Sequence, residues 1–229
     1  MALTKLQPVH RTRIKICGLT RTEDLQAAVA AGADAVGFVF YAPSPRYVAP
    51  ETAGALLAAL PPFVSSVGLF VNASTEEVAA TLAIAPVSLL QFHGDETVEQ
   101  CVQTAKAVNR PFMRAIRVKP GMHAQDLLEY EFAYRASGNL FAGLLLDAFV
   151  DGYGGGGKVF DWSLIPEELA PRVVLSGGLS EQNVTEAVVG LRPYAVDVSS
   201  GVEAAKGIKD AARIAAFIAG VRAADATPR

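Results

Sequence analysis

The chain has 229 residues, of which 51% are hydrophobic and 19% are charged. This composition excludes a disordered chain, and the length suits one large domain or two small ones. The 20 basic and 23 acidic residues give a net charge of -3 with no basic cluster, which argues against a nucleic-acid partner.

The N-terminal segment 1–13 carries three basic residues and no long apolar stretch, so it predicts a flexible tail and not a secretory signal. Nothing after it resembles an interdomain linker, and residues 14–229 are expected to form one domain. The two cysteines, Cys17 and Cys101, are far apart and lack metal-ligand spacing. This pattern favours a reducing cytoplasm, with no disulfide, and Cys101 is interpreted as structural because it lies on a predicted helix.

The longest uncharged segment, residues 52–75, is long enough to cross a bilayer. It contains Gly54, Pro61 and Pro62, which break helices. The segment therefore predicts a helix, a break and a strand, and we expect no membrane partner.

Eight short segments rich in Val, Ile, Leu and Phe are predicted as strands. Most are continuously apolar, which is typical of strands buried on both faces. In chain order they are 14–17, 35–40, 66–71, 88–92, 112–118, 143–147, 173–176 and 195–199.

The segments between these strands have helical spacing. Thr20-x-x-Glu23 and Ser74-x-x-Glu77 have the pattern of capping boxes, and residues 96–108 and 209–224 are also predicted helices. Alternation of strands and helices, with strands starting about 20–30 residues apart, implies right-handed parallel crossovers. Eight such units favour a single (β/α)8 TIM barrel, and a doubly wound open sheet is the alternative.

In such a barrel the active site lies at the carboxyl ends of the strands, so polar residues there are candidates. Cys17 ends the first strand and could act as a base if its thiolate were stabilised; the alternative is a small buried hydrophobe. Asp147 follows three leucines, and partial burial would suit it to a general acid; the alternative is a loop cap. Strands one and six are separated by two others, so both groups could reach one substrate from different sides.

Two further strand ends carry side chains that could bind substrate. Arg46 lies in the loop Pro43-Ser44-Pro45-Arg46, where a guanidinium could hold a carboxylate in bidentate fashion, or could form a surface salt bridge. His93 follows the fourth strand and could position substrate or merely form hydrogen bonds within the rim.

Glycine-rich loops follow the last two strands, where barrels commonly bind phosphate. Glycines let backbone N–H groups approach phosphate oxygens, although they could equally serve tight turns. The predicted phosphate-binding residues are Gly177, Gly178, Ser199, Ser200 and Gly201, with Gly155 and Gly156 of a four-glycine run as a third wall.

Taken in order, these motifs resemble the phosphoribosylanthranilate isomerase family of tryptophan biosynthesis, from Ile14 to about Phe217. The matching segments are Lys15-Ile16-Cys17-Gly18, Gly37-Phe38-Val39-Phe40, Ser44-Pro45-Arg46-Tyr47-Val48, Val67-Gly68-Leu69-Phe70-Val71, Gln91-Phe92-His93-Gly94, Leu145-Leu146-Asp147, Gly157-Lys158, Phe160-Asp161-Trp162, Ser176-Gly177-Gly178-Leu179 and Val196-Asp197-Val198-Ser199-Ser200-Gly201-Val202-Glu203.

The resemblance implies an Amadori rearrangement of N-(5-phosphoribosyl)anthranilate, a small-molecule substrate, with no cofactor and no metal. It implies Cys17 as general base, Asp147 as general acid, Arg46 as the site for the anthranilate carboxylate and Asp197 as a supporting residue near the substrate amine. The family includes monomers and homodimers, and both stay open here.

The sequence departs from the family where Gly156 replaces a common hydroxyl residue and Phe92 replaces a frequent leucine. Two alternatives stay open from the residues. One is the related isomerase of histidine biosynthesis, or a dual-substrate version, although that family has an aspartate where this chain has Cys17. The other is a non-catalytic phosphate-binding barrel, which has no need of Cys17.

Overall fold

Eight parallel strands close into a barrel in chain order in the computed structural model, which describes residues 11–148 and 159–228. The closed barrel confirms the predicted (β/α)8 architecture and rules out the open sheet. The strands are β1 (Arg13–Cys17), β2 (Ala35–Val39), β3 (Ser65–Phe70), β4 (Leu89–Phe92), β5 (Phe112–Val118), β6 (Phe141–Ala148), β7 (Val174–Leu175) and β8 (Ala195–Val198).

Helices cover the outside of this barrel. They are α1 (Thr22–Ala31), α2 (Pro50–Ala58), α3 (Thr75–Ile84), α4 (Val98–Ala107), α5 (Ala124–Ala136), α6 (Val184–Leu191) and α7 (Ala211–Asp225). Between β6 and β7 the described residues form two short 3-10 turns, Trp162–Leu164 and Ala170–Arg172. Nowhere in residues 11–148 and 159–228 is a helix long and apolar enough to span a membrane.

An addition that the sequence did not predict follows β8. After a 3-10 turn at Ser200–Val202, strands β9 (Glu203–Ala205) and β10 (Ile208–Lys209) form a small antiparallel hairpin before α7. Its turn residue Gly207 has a φ of 77° and lies against the carbonyl of Pro45, in the loop after β2. The hairpin therefore packs on the rim of the barrel mouth.

The two predicted capping boxes have different outcomes. Ser74 forms the box with Glu77 and begins α3, as predicted. The box at Thr20 is wrong, because α1 has Arg21 as its N-cap residue without a side-chain cap. The Thr20 hydroxyl instead donates to the Gly207 carbonyl oxygen at 3.0 Å, so the hairpin takes the group that the helix was expected to use.

The start of the domain lies slightly before the predicted boundary at residue 14. Arg13 belongs to β1, and Thr12 is buried. The backbone nitrogen and hydroxyl of Thr12 donate to the Asp225 carboxylate at 2.9 and 2.7 Å. Residues 12 and 13 are therefore part of the barrel, while residues 1–10 of the predicted tail lie outside the described residues.

The interior of the barrel has two layers of opposite character. Towards the amino ends of the strands lies a small apolar cluster of Val67, Met113, Ala115, Leu145, Val174 and Ala195. Side chains alternate faces along a strand, so Asp147 and Asp197 share the inward face with Leu145 and Ala195, one step nearer the mouth. The interior is thus apolar at its base and carries buried polar groups at the carboxyl ends, where the predicted site residues lie.

Candidate active site

The first polar network joins β1 to its neighbour β8 and to β7. Lys15 and Asp197 are register partners, and the Lys15 Nζ donates to Asp197 Oδ1 at 2.8 Å. The Ser176 hydroxyl donates to the other carboxylate oxygen at 3.2 Å. Lys15 and Asp197 side chains are only 4% and 6% exposed, so this is an ion pair inside the barrel.

Cys17 lies on the same face of β1 as Lys15, two residues nearer the mouth. Burial raises the pKa of the Cys17 thiol above its ordinary value, and the Lys15 ammonium acts in the opposite direction by stabilising the thiolate. Burial alone would lower the pKa of Lys15, but Asp197 and Cys17 outweigh it and raise the pKa of Lys15. Lys15 is therefore a fixed positive charge next to the thiol.

Space around the Cys17 sulfur is provided by Gly37 on β2, the register partner of Cys17. A Cβ at position 37 would lie 2.8 Å from the sulfur and 3.1 Å from Lys15 Cε, which is closer than real Cβ contacts. The sulfur and the lysine stem thus occupy the volume that a side chain at residue 37 would need.

The second polar network joins β4 to β6. His93 Nε2 lies 3.1 Å from Asp147 Oδ2, and His93 Nδ1 lies 3.0 Å from the Gln91 amide nitrogen. All three side chains are buried. His93 was expected on the rim at the end of β4, and the structure adds a direct contact between His93 and Asp147.

This network has two proton arrangements. With the Gln91 amide nitrogen facing Nδ1, that ring nitrogen accepts and His93 donates to an ionised Asp147. With the amide reversed, Nδ1–H donates to the Gln91 oxygen, and Nε2 accepts from a protonated Asp147. In the described part of the chain the Gln91 oxygen has no other partner that would fix the amide. The chain of three groups therefore accommodates both forms of the carboxyl group.

Arg46 is held within the loop after β2 by a partner that the sequence analysis did not consider. Its Nε and Nη2 donate to the two carboxylate oxygens of Glu203 on β9, at 2.7 and 2.8 Å. The guanidinium is one-tenth exposed, so the contact is a buried bidentate ion pair and not the surface salt bridge weighed above. Its stem crosses Gly18, where a Cβ would lie 2.7 Å from Arg46 Cδ.

The two loops with predicted phosphate-binding residues pack against each other. Gly177 and Gly178 have φ values of 84° and 67°, a backbone conformation that favours glycine. A Cβ at Gly201 would lie 1.9 Å from the Leu179 carbonyl oxygen, so only glycine fits there. Ser199 and Ser200 are half-buried beside it. Gly155 and Gly156 lie outside the described residues.

Five polar residues at the site were not assigned roles from sequence: Lys15, Gln91, Ser176, Glu203 and Lys209. For Lys15 and Gln91 a signal was present, because each lies two residues before a candidate on the same strand and so shares its face. Ser176 also carried a signal, because it ends the predicted strand 173–176, although no role was assigned to it. Glu203 and Lys209 are placed by the hairpin, and they carried no such pattern. In residues 11–148 and 159–228 no group of His, Cys, Asp or Glu side chains could hold a metal ion.

Fold and site together define a (β/α)8 barrel whose mouth carries buried, hydrogen-bonded acid and base groups. The family model of N-(5'phosphoribosyl)anthranilate (PRA) isomerase matches residues 14–220. A relative of that name from Herminiimonas arsenicoxydans is 72% identical over 218 residues, covering 95% of this chain and 96% of the relative. Another from Ralstonia nicotianae is 58% identical over 228 residues, covering 96% of each. The chain belongs to this isomerase family.

Solved structures give the same result. Phosphoribosyl anthranilate isomerase from Thermotoga maritima has a TM-score of 0.81 and 43% identity, covering 93% of this chain and 99% of that protein. A second has a TM-score of 0.78 and 40% identity with the same coverage, and it is a complex with reduced 1-(o-carboxyphenylamino)-1-deoxyribulose 5-phosphate. A third, with a TM-score of 0.77 and 38% identity over 92% of this chain and 98% of its own, is of monomers generated from the dimeric Thermotoga enzyme.

Proposed function

We propose that this chain converts N-(5-phosphoribosyl)anthranilate to 1-(2-carboxyphenylamino)-1-deoxyribulose 5-phosphate by acid–base catalysis with Cys17 and Asp147. The observation that carries this assignment is the placement of the two groups on inward faces at the mouth, on β1 and β6, in separate buried networks. Family membership supplies the reaction, and the two networks supply its proton donor and acceptor.

The reaction needs a proton on one atom and the removal of a proton from another. Opening of the furanose ring requires an acid to protonate the ring oxygen as its bond to C1 breaks, which leaves a Schiff base at C1. The Schiff base acidifies the proton on C2, a base removes that proton, and the resulting enolamine tautomerises to the ketone. Each positioned proton transfer typically accelerates a reaction by about 10²–10⁴-fold.

Asp147 is the group that protonates the ring oxygen. His93 and Gln91 support both its protonated and its ionised form, as the two arrangements of their hydrogen bonds require. After the proton is given to the substrate, the Asp147 carboxylate that remains accepts a hydrogen bond from His93 Nε2–H, so the buried charge is not left without a hydrogen-bond donor.

Cys17 removes the proton from C2. Burial raises its pKa and so favours the thiol, and the Lys15 ammonium stabilises the thiolate that removes the proton. Asp197 holds Lys15 in place and lies within the same network, where it also serves the substrate amine. The cation, the thiol and the carboxylate therefore act as one unit.

Substrate binding uses groups at the two sides of the mouth. Arg46 receives the anthranilate carboxylate, and the loops with Gly177, Gly178, Ser199, Ser200 and Gly201 receive the phosphate. Gly177 and Gly178 favour a phosphate site because their left-handed backbone exposes N–H groups after β7. Gly155 and Gly156 stay predictions, as do a cytoplasmic location and assembly as a monomer or a homodimer.

The test uses the fluorescence of the anthranilate group, which reports turnover directly. Asp147→Asn and Cys17→Ala are each expected to lower kcat by at least about 100-fold, the lower limit for one positioned proton transfer. Cys101→Ala, which changes the other buried cysteine, and Asp161→Asn, which changes a carboxylate at a 3-10 turn, are matched controls and should keep kcat within about threefold. Near wild-type rates in both site variants, with normal circular dichroism, would show that the acid and base are other residues.

A further inference from the structure

Three buried charged side chains form a cluster between the loop after β2 and the hairpin β9–β10. Glu203 accepts from Arg46 Nε and Nη2, as described above, and Lys209 Nζ donates to Glu203 Oε1 at 2.9 Å. The Arg46, Glu203 and Lys209 side chains are 10%, 6% and 0% exposed. We refer to these three residues as the mouth cluster.

The mouth cluster has an excess of positive charge. It contains two cations and one carboxylate, and in the described part of the chain neither cationic side chain pairs with a second acidic group. Burial lowers the pKa of Lys209 despite the attraction of Glu203. Burial opposes ionisation of Glu203, but the two cations outweigh it and lower the pKa of Glu203. A buried excess charge is unfavourable unless an anion joins it, so the cluster is suited to bind one.

The geometry of Arg46 shows which part of the cluster can receive that anion. A guanidinium has five N–H donors and two edges that chelate a carboxylate, one formed by Nε and Nη2 and one by Nη1 and Nη2. Glu203 occupies the first edge. No hydrogen bond reaches Nη1 from residues 11–148 or 159–228, which leaves the second edge for a planar anion.

We propose that Glu203 is a positioning residue for substrate recognition: it fixes Arg46 by one edge so that the other edge binds the carboxylate of the anthranilate ring. This inference rests on the proposed function, in which Arg46 receives that carboxylate. Glu203 itself contacts no substrate.

The hairpin keeps Glu203 in place from several sides. The backbone oxygen of Glu203 accepts a hydrogen bond from Arg213 Nη1 of α7 at 2.6 Å. Lys209 Nζ also donates to the carbonyl and hydroxyl oxygens of Ser199, at 3.1 and 3.2 Å. Because Ser199 belongs to the proposed phosphate loop, the hairpin fixes the position of the carboxylate site relative to the phosphate site.

The experiment measures how strongly binding depends on the carboxylate. Two probes are titrated calorimetrically: reduced 1-(o-carboxyphenylamino)-1-deoxyribulose 5-phosphate, and the same compound without its carboxyl group. The selectivity is the ratio of the two Kd values. A bidentate, charge-assisted contact predicts a selectivity of about 10- to 100-fold in the wild-type protein.

Glu203→Gln is expected to lower this selectivity by at least about fivefold, because the amide replaces one of the two acceptor oxygens by an NH2 group, which faces an Arg46 donor with another donor. Glu203→Asp keeps the charge, and so the fold, but withdraws the carboxylate from Arg46 by about 1.5 Å, one carbon–carbon bond. It should lower the selectivity as well. Glu96→Gln is the matched control, since Glu96 is also 6% exposed and pairs with the buried Arg114 away from the mouth cluster. Its selectivity should equal that of the wild type.

Arg46→Lys tests whether Arg46 binds the carboxylate, separately from whether Glu203 positions Arg46. Selectivity that falls in Arg46→Lys but not in the Glu203 variants would overturn the positioning role and leave the proposed function intact. An equal increase in the Kd values of both probes in the Glu203 variants would also overturn the positioning role, because a purely structural role leaves the ratio of the two Kd values unchanged. Unchanged selectivity in Arg46→Lys would show that the carboxylate binds elsewhere, and the role of Glu203 would fail with it.

Discussion

Removal of the charge on Lys15 should destabilise the protein strongly, and removal of its partner's charge should reverse much of that effect. In Lys15→Met the Asp197 carboxylate stays 94% buried and keeps only the Ser176 hydroxyl, at 3.2 Å, among the partners in the described residues. Breaking a buried ion pair by loss of one partner costs about 3–5 kcal/mol. For a chain of this size each 1 kcal/mol lowers Tm by about 2–4 °C, so Tm should fall by about 6–20 °C.

The double variant Lys15→Met/Asp197→Asn contains no buried charge at this position. Replacement of a whole buried pair is often close to neutral, so at least half of the lost stability should return. Urea unfolding and calorimetry measure the cycle, and Lys106→Met, at an exposed position on α4, is the control with an effect below about 0.5 kcal/mol. A double variant no more stable than the single one, or a cost below about 1 kcal/mol for Lys15→Met, would contradict this account of the pair. The double variant should remain slow, because Cys17 has lost its cation.

Three further outcomes are expected. The pH dependence of kcat/KM should contain an apparent pKa from Cys17 that lies above the ordinary thiol value, because burial raises it. In Lys15→Gln this apparent pKa should move to higher pH, and an unmoved profile would exclude Lys15 as the stabilising cation. Gly37→Ala should lower kcat by about tenfold or more, since the new methyl displaces a sulfur 2.8 Å away, whereas Gly190→Ala, with open space around it, should not. Ser74→Ala should cost about 1 kcal/mol of stability through loss of the α3 cap, as seen by thermal unfolding, with no change in kcat.

The strands were predictable because burial on both faces leaves a strong local signal. All eight predicted strands exist, and the fifth has the bounds that were predicted. The interior explains why: outward side chains such as those of Ile14 and Phe38 pack under the helices, and inward ones fill the barrel. Alternation appears only near the mouth, where Lys15 and Gln91 interrupt the apolar pattern on the inward face.

Pairings between distant residues were not predictable in the same way. Arg46 and Glu203 are 157 positions apart, and Lys15 and Asp197 are 182 apart, so no local pattern joins them. The hairpin was missed because strands of two and three residues are too short to show a period. The hairpin in turn explains the wrong capping box, since Thr20 is bound to Gly207.

The two polar networks at the mouth have a consequence for how activity is acquired during folding. One network joins the first strand to the last, so it cannot exist in a chain whose ring is still open, whereas the network between β4 and β6 needs only the consecutive strands β4, β5 and β6. An intermediate made of consecutive strands and helices could bury the outer core yet would hold Lys15 without Asp197. Recovery of turnover on refolding should therefore coincide with the pairing of β1 with β8, and activity in this protein reports closure of the whole ring.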